Sequence, residues 1–154
     1  MGCVSVISIE TPIGQLVIEA TQKGIRNIQF SDSKKNAGPS PILDACCSQL
    51  DAYFRGDRTS FTDLPLVMEG TEFQAKVWSA ALKIPFGETW TYGQLAESIG
   101  HSRASRAVGS ALNRNPLPII VPCHRIVPAS GGIGKYGGGA WRKVWLLKHE
   151  KSHN

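Results

Sequence analysis

Cys123 and His124 stand side by side in the stretch IIVPCHRIVP, residues 119–128. A thiol attacks only as its thiolate, and imidazole is the side chain best matched to take a proton near neutral pH. Nucleophilic displacement by sulfur is the first chemistry that these residue types allow. A structural cysteine beside a chance histidine is the other reading of the same pair. Neighbours in an extended strand point to opposite sides, so direct contact needs a turn and a bridging water is the alternative. The imidazole in turn needs an orienting partner, often a carboxylate. Beyond residue 71 the acidic residues are Glu72, Glu88, Glu97 and Glu150. Glu150 follows His149 at the end of WRKVWLLKHE, which reads as a packed apolar helix.

The surroundings must hold that pair still. Pro116, Pro118, Pro122 and Pro128 fix φ and remove backbone donors, so the segment is expected to be extended, rigid and short of ladder bonds. Ile119, Ile120 and Val121 lead to the thiol as a buried run. Directly afterwards comes ASGGIGKYGGG. That much glycine lets a loop fit itself over a flat ligand, with Tyr136 as an aromatic wall. It is no Walker loop, because Lys135 does not fall in G-x-x-x-x-G-K-[ST].

Upstream, the spacing predicts a helix from the capping-box pattern Thr71 to Gln74, with Phe73, Val77, Trp78, Ala81 and Leu82 on one face and Pro85 ending it. A second such pattern, Thr91 to Gln94, opens a short helix through Leu95, Ala96 and Ile99, with Gly100 as its stop. The chain restarts as RASRAVGSALNRN. There Ala104, Ala107, Val108, Ala111 and Leu112 form the buried side, and Arg103, Arg106, Ser110 and Arg114 the other. A short helix, a glycine turn and a second helix with a basic face read as helix-turn-helix. A solvated basic face on an ordinary helix is the competing reading. Ala107, Gly109, Ser110 and Ala111 make the second helix slim enough to press its backbone close to DNA, even in a narrow groove.

Before residue 71, VSVISIE, QLVIEA and IRNIQF alternate and are split by turn-prone TPIG and TQKG, which predicts an antiparallel meander. SDSKKNAGPSP reads as a loop, residues 42–54 as a helix stopped by Gly56, and TSFTDLPLVMEG as an extended connector. This part shows no obvious chemistry.

Composition narrows the classes. The chain has 154 residues, 42% hydrophobic, enough for one core or two small lobes. No apolar run reaches membrane-spanning length, and the N-terminus lacks a basic signal region. Met-Gly-Cys could suggest acylation, but the alternation from Val4 fits a strand better. Cys3, Cys46, Cys47 and Cys123 form no C-x-x-C pair, so neither a zinc cluster nor a disulfide framework is expected, and a reducing compartment is. Cys46 and Cys47 lie in a helical pattern, and at least one of them reads as a small buried hydrophobe. The formal charge is +5, with 6 Lys+Arg against 8 Asp+Glu through residue 71 and 11 against 4 beyond it. A basic C-terminal half suits nucleic acid as well as it suits an ordinary basic surface.

PCHR at 122–125, FQAKVW at 73–78, IPFGETWTYGQLA at 84–96, RAVGSALNRNP at 106–116 and WLLKHE at 145–150 together resemble the 6-O-alkylguanine-DNA alkyltransferases, in order from about Leu50 to Glu150. The resemblance implies an α+β chain. Residues 1–70 would be a small ribonuclease-H-like α/β lobe, and 71–154 a mostly helical domain with the helix-turn-helix. It implies that Cys123 accepts the alkyl group, that His124 deprotonates it through a water, and that Glu150 orients His124. Asn115 would brace the turn before the cysteine segment, and Tyr92 would push on the target phosphate and help protonate the leaving base. Arg106 would replace the flipped base, with Arg103, Ala107, Ser110 and Arg114 on the DNA. Val121, Cys123 and Ile126 would offer backbone groups to the guanine, beside the loop of Tyr136, Gly137 and Gly138.

The implied partner is double-stranded DNA holding an alkylated guanine, entered through the minor groove by a monomer, with 4-O-alkylthymine a second candidate substrate. No cofactor is implied. The expected location is the cytoplasm, at the nucleoid in a prokaryote, or the nucleus in a eukaryote. Gly137 stands where some members carry Ser, which removes one side-chain hydrogen bond to the guanine oxygen and widens the pocket. The zinc of some animal members needs N-terminal histidines that this chain lacks, so no metal is expected. A non-catalytic lesion-binding or regulatory helix-turn-helix protein is the competing function, and a thiol hydrolase using Cys123 and His124 a third.

Overall fold

Strands β1 (Ser5–Thr11), β2 (Gly14–Thr21) and β3 (Gly24–Phe30) pair antiparallel in chain order, as their alternation predicts. The computed structural model describes residues 4–38 and 40–153, so Cys3 lies outside the described residues. Ser5 faces Ala20 and Thr11 faces Gly14 across the first hairpin. The stretch read as a loop contains a short fourth strand, β4 (Asn36–Ala37), on the open edge of β1, so the sheet runs β3-β2-β1-β4. A two-residue strand has no periodicity to read, so its pattern is that of a loop. Helix α1 (Pro41–Phe54) begins with Pro41 at its first turn, and the Ser40 hydroxyl accepts from Leu43 N at 3.1 Å. Leu43, Cys46, Leu50 and Tyr53 recur on its buried face. They meet Leu16, Ile18, Ile25 and Ile28 of the sheet in the core of the first unit, which ends at Met68. Cys46 is fully buried and its thiol is pushed up to about 12 by that burial and then by Cys47.

The second unit begins at Glu69. Thr71 and Gln74 form a reciprocal capping box at the start of α2 (Glu72–Ala81). Val77, Trp78 and Ala81 are buried as their spacing predicts. Leu82 is not: it is the C-cap residue and 40% exposed, because the helix ends at Ala81, well before Pro85. Strand β5 (Trp90–Thr91) leads into α3 (Tyr92–Ser98), whose N-terminus carries the second capping box, Thr91 with Gln94. Gly100 follows at φ 78°, a conformation that favours glycine and turns the chain. Helix α4 (Ser105–Asn113) then packs on both α2 and α3. Trp78 Nε1 donates to Ala111 O at 2.8 Å, which ties α2 to α4 with the whole indole buried. Losing such a buried ring costs about 3–5 kcal/mol.

Three expectations for this helix pair change. Ala107 is exposed, not part of the buried side, which consists of Val108, Ala111 and Leu112. Arg103 precedes α4, and Arg114 is its C-cap. Only Arg106 and Ser110 of the four polar residues lie on the helix proper, because it starts one residue after Ala104 and ends at Asn113. A 3-10 turn (Cys123–Arg125), strand β6 (Ile126–Val127) and α5 (Ala140–Ser152) complete the unit. Strand β6 pairs parallel with β5, Trp90 facing Ile126 and Thr91 facing Val127. Among the described residues no helix is long and apolar enough to cross a membrane.

Candidate active site

The cysteine segment is not extended throughout. Cys123, His124 and Arg125 form a single 3-10 turn, with Cys123 N donating to Val121 O at 2.8 Å and Arg125 N to Pro122 O at 2.9 Å. Pro122 and Pro128 bracket the turn but do not prevent it, because the donors it uses belong to Cys123, Arg125 and Ile126. The approach to it is strained. Ile119 is fully buried at φ 77°, a left-handed conformation that a β-branched residue adopts only when its surroundings enforce it. Asn115 supplies that enforcement: its Oδ1 accepts from Leu117 N and its Nδ2 donates to Val121 O, both at 2.9 Å. The brace role implied for Asn115 therefore has a geometry, with its amide spanning the segment that contains Ile119.

His124 is fully buried, and its Nε2 lies 2.6 Å from Glu150 Oε2. Arg125 grips the same carboxylate with two donors, Nε to Oε1 at 2.7 Å and Nη2 to Oε2 at 3.0 Å. Its Nη1 donates to Ile84 O at 2.6 Å, and Gly87 N reaches Glu150 Oε1 at 3.2 Å. Burial would raise the Glu150 carboxyl, but the hydrogen bonds and charges of His124 and Arg125 hold it well below the usual carboxylate range. Burial pulls the His124 imidazole below its ordinary value against the pull of Glu150, so the ring is neutral at neutral pH. A carboxylate only accepts, so Nε2 carries the proton and donates it to Glu150. Nδ1 is then a bare lone pair. It is buried, without a hydrogen-bond partner in the protein, and adjacent in sequence to the thiol. That is the arrangement a base requires.

Cys123 is partly buried. Burial raises its thiol, and the Asn115 side chain, the Lys143 charge and the amides of Cys123 and His124 oppose the rise. The thiol is thus protonated at rest, and its ionisation needs a base beside it. Lys143 is a fully buried lysine whose Nζ donates to Ile126 O at 2.6 Å and to Lys135 O at 3.2 Å. Burial pulls it down to about 8, partly offset by Cys123. It ties the glycine loop to the strand that follows the cysteine turn.

Tyr92 arrives through the β5–β6 pairing, since it is the next residue after Thr91. A Cβ on Gly109 of α4 would lie 3.7 Å from its ring. A Cβ on Gly134 would lie 3.2 Å from its hydroxyl and 3.0 Å from Pro128 Cδ, with Gly134 at φ 80°. Glycine at 134 is therefore needed for both space and conformation. Burial raises the Tyr92 phenol first and the Cys123 charge second, so it stays protonated and able to donate. The Tyr136 hydroxyl is buried and without a hydrogen-bond partner. At Gly137 a Cβ would meet nothing within 4 Å, and the Gly138 carbonyl accepts from Arg142 Nη1 at 2.7 Å.

The structure brings Cys123, His124, Glu150, Asn115 and Tyr92 into one neighbourhood with Ile126, Tyr136, Gly137 and Gly138. It removes Val121 from the groups that could meet a ligand. The Val121 carbonyl already accepts from Asn115 Nδ2 and Cys123 N, and its amide donates to Leu117 O. A carbonyl has two lone pairs, so Cys123 O and Ile126 O, each with one donor, keep one apiece. Arg103, Arg106, Ala107, Ser110 and Arg114 are all exposed. Sequence reasoning missed Lys143 and Arg125. A signal existed for Lys143, which falls on the buried stripe of Leu146 and Glu150 at helical spacing. None existed for Arg125, whose direction is fixed by the turn. Among the described residues no three His, Cys, Asp or Glu side chains cluster as metal ligands do.

Two family models match the chain: the 6-O-methylguanine DNA methyltransferase DNA binding domain over residues 72–152, and the ribonuclease-like domain of the same proteins over residues 5–68. The chain belongs to the 6-O-methylguanine DNA methyltransferase family. The methylated-DNA–protein-cysteine methyltransferase of Methanosarcina acetivorans is 44% identical over 150 residues, covering 93% of this chain and 96% of that protein. Its Mycobacterium leprae counterpart is 47% identical over 150 residues, 94% of this chain and 90% of that one. The crystal structure of Mycobacterium tuberculosis O6-methylguanine methyltransferase superposes with a TM-score of 0.88 at 42% identity, covering 99% and 95% of the two chains. A second structure of the Mycobacterium tuberculosis protein, in complex with DNA, gives 0.87 at 44% identity over 96% and 93%. The 6-O-methylguanine DNA methyltransferase match thus extends over both units, including the strand-rich first one in which the sequence shows no chemistry.

Proposed function

We propose that this chain is a DNA repair protein that takes a 6-O-alkylguanine out of the DNA stack and transfers the alkyl group irreversibly to Cys123, once per molecule. The observation that carries this reading is the bare Nδ1 of a neutral, buried His124 whose other nitrogen is fixed on Glu150, next in sequence to a partly buried thiol. Such a pair can make a thiolate on demand without exposing it to solvent.

The step balances without a further reactant. The proton of Cys123 passes to His124 through a water. The thiolate electron pair forms a bond to the alkyl carbon while the carbon–oxygen bond breaks and its pair returns to the base. The base leaves as guanine once a ring nitrogen is protonated; Tyr92, kept as the neutral phenol by burial, offers the donor there, and the proton that His124 took from the thiol returns to Tyr92 through water. Alkyl moves directly from oxygen to sulfur, so no cofactor enters. A thioether resists hydrolysis by any side chain in the site, which makes the protein single-use. Sulfur is the softest nucleophile a side chain offers for attack at saturated carbon.

Recognition falls to the basic second unit. Arg106 fills the space of the extruded base, Ala107 and Ser110 let α4 lie close in the minor groove, and Arg103 and Arg114 meet phosphate. Cys123 O and Ile126 O offer the two remaining backbone acceptors to the guanine, beside Gly137 and Gly138. The division of labour follows the two units, with 4-O-alkylthymine as a second substrate. The protein works as a monomer where the DNA lies, at the nucleoid in the cytoplasm or in a nucleus. A duplex carrying one 6-O-methylguanine tests the reading. Restoration of guanine should plateau at one base per protein molecule; continued turnover, or none at all, would contradict it.

A further inference from the structure

Among the described residues, two buried side-chain polar atoms lack a hydrogen-bond partner in the protein: Nδ1 of His124 and the hydroxyl of Tyr136. Each unpaired buried group costs about 1–3 kcal/mol, and native interiors keep few of them. The mechanism above uses the first. It leaves the second as a bare aromatic wall, for which a phenylalanine would serve as well.

The backbone sets the two atoms in one neighbourhood. Lys143 Nζ bonds both Ile126 O at 2.6 Å and Lys135 O at 3.2 Å, which holds the residue before Tyr136 against the residue two after His124. Gly139 N donates to Tyr136 O at 2.9 Å and turns the loop back there. The buried phenol is raised well above its ordinary value, first by burial and next by the Cys123 charge, with Glu150 also acting on it. The phenol is therefore held protonated, within electrostatic reach of Cys123 and Glu150.

We propose that the Tyr136 hydroxyl, His124 Nδ1 and Cys123 Sγ together hold one water, which makes Tyr136 a positioning residue of the proton relay. A buried water binds stably to two to four polar partners, and these are three. The water oxygen accepts from the Tyr136 hydroxyl and from the thiol, and donates to Nδ1. On ionisation the water hands one proton to Nδ1 and takes the proton of the thiol. Tyr136 gives up nothing, and its donated hydrogen bond steadies the water while negative charge grows on sulfur. The purpose of this relay rests on the alkyl-transfer reading; its geometry does not.

The experiment compares the full chain with its Tyr136→Phe variant, with thermal melting to confirm that both are folded. Alkylation of Cys123 by iodoacetamide is followed against pH by the mass of its peptide, without DNA. In the variant the rate–pH curve should move to higher pH, and the rate at pH 7 should fall about tenfold or more. Methyl transfer from a methylated duplex should fall in parallel. An unchanged iodoacetamide curve overturns the proposal. With methyl transfer also unchanged, the ring is only a wall; with methyl transfer alone reduced, the hydroxyl acts on the base and not on the relay. A crystal structure of the unmodified protein gives a second check. A water within hydrogen-bond distance of all three atoms supports the proposal, and a Tyr136 hydroxyl bonded elsewhere overturns it. Failure of the wild-type chain to take a methyl group from DNA would instead refute the alkyl-transfer reading, because the iodoacetamide comparison needs no DNA.

Discussion

His124 Nε2 and Glu150 Oε2 lie 2.6 Å apart with both side chains closed to solvent, 26 residues apart in the chain. Arg125 closes on the same carboxylate from a second direction, so one buried anion serves two partners. Removing one member of such a group leaves another charged and unpaired.

Glu150→Gln should lower unfolding stability by about 3–5 kcal/mol, because Arg125 keeps a buried charge without its counter-ion. Methyl transfer should fall about 100-fold or more, since the imidazole loses the acceptor that fixes its tautomer. Two pH windows follow. The folded His124 pKa lies below its unfolded value near 6.5, so the unfolded chain takes a proton that the folded chain refuses, and stability declines as pH drops below about 6.5. The folded Glu150 pKa is depressed, so its contribution is present above about 4.3 and is lost as pH falls further. Urea midpoints across pH should show both stages in the wild type and lack the lower one in the variant.

Lys143→Met should slow iodoacetamide labelling of Cys123 at pH 7, because the positive charge that favours the thiolate is gone. It also leaves the carbonyls of Ile126 and Lys135 without this donor, at about 1–3 kcal/mol each where they stay buried. The glycine loop should become more open to limited proteolysis. In the wild type, the folded lysine titrates at about 8 and the unfolded one near 10.4, so stability should rise with pH between about 8 and 10.4. The variant should lose that rise.

Asn115→Ala removes both bonds that hold the strained Ile119 segment. Stability should fall by about 2 kcal/mol, as expected for buried partners left unsatisfied. Asn115→Asp should impair methyl transfer more than Asn115→Ala does. It sets an oxygen against Val121 O where an N–H stood, and brings negative charge towards the thiolate. Equal rates in the two variants would argue against the brace.

Arg106→Ala should leave stability within about 0.5 kcal/mol, because the side chain is exposed. It should weaken repair in duplex DNA much more than in single strands, where no stack needs filling. Salt titration of duplex binding should also show a shallower slope. Equal losses on both substrates would remove the finger role.

The elements were legible wherever a local pattern set them. Both capping boxes, the meander and the stop at Gly100 follow from residues within a few positions of each other. The reading drifted where tertiary packing decides. Ala107 shares the apolar spacing of Val108 and Ala111 yet lies exposed, about a quarter turn from the centre of the face formed by Val108, Ala111 and Leu112. The bend at Cys123 was hidden because proline-rich sequence reads as extended, while the turn draws its donors from the residues in between. Within the site, Glu150 was one of four carboxylates in its half, in a helix that reads as packed, and only the family resemblance pointed to it; its bond to Arg125 and the reach of Lys143 across the loop are long-range contacts. No spacing reports such contacts.

The central claim is that Cys123 itself receives the alkyl group. The most direct measurement is peptide mass spectrometry after mixing the chain with duplex DNA carrying 6-O-methylguanine. One methyl on the Cys123 peptide is predicted, with the cysteine peptides of Cys46 and Cys47 unchanged, because their thiols are raised to about 12 and about 11. Methyl transfer at full level by a Cys123→Ala protein, or a methyl found on another residue, would contradict it.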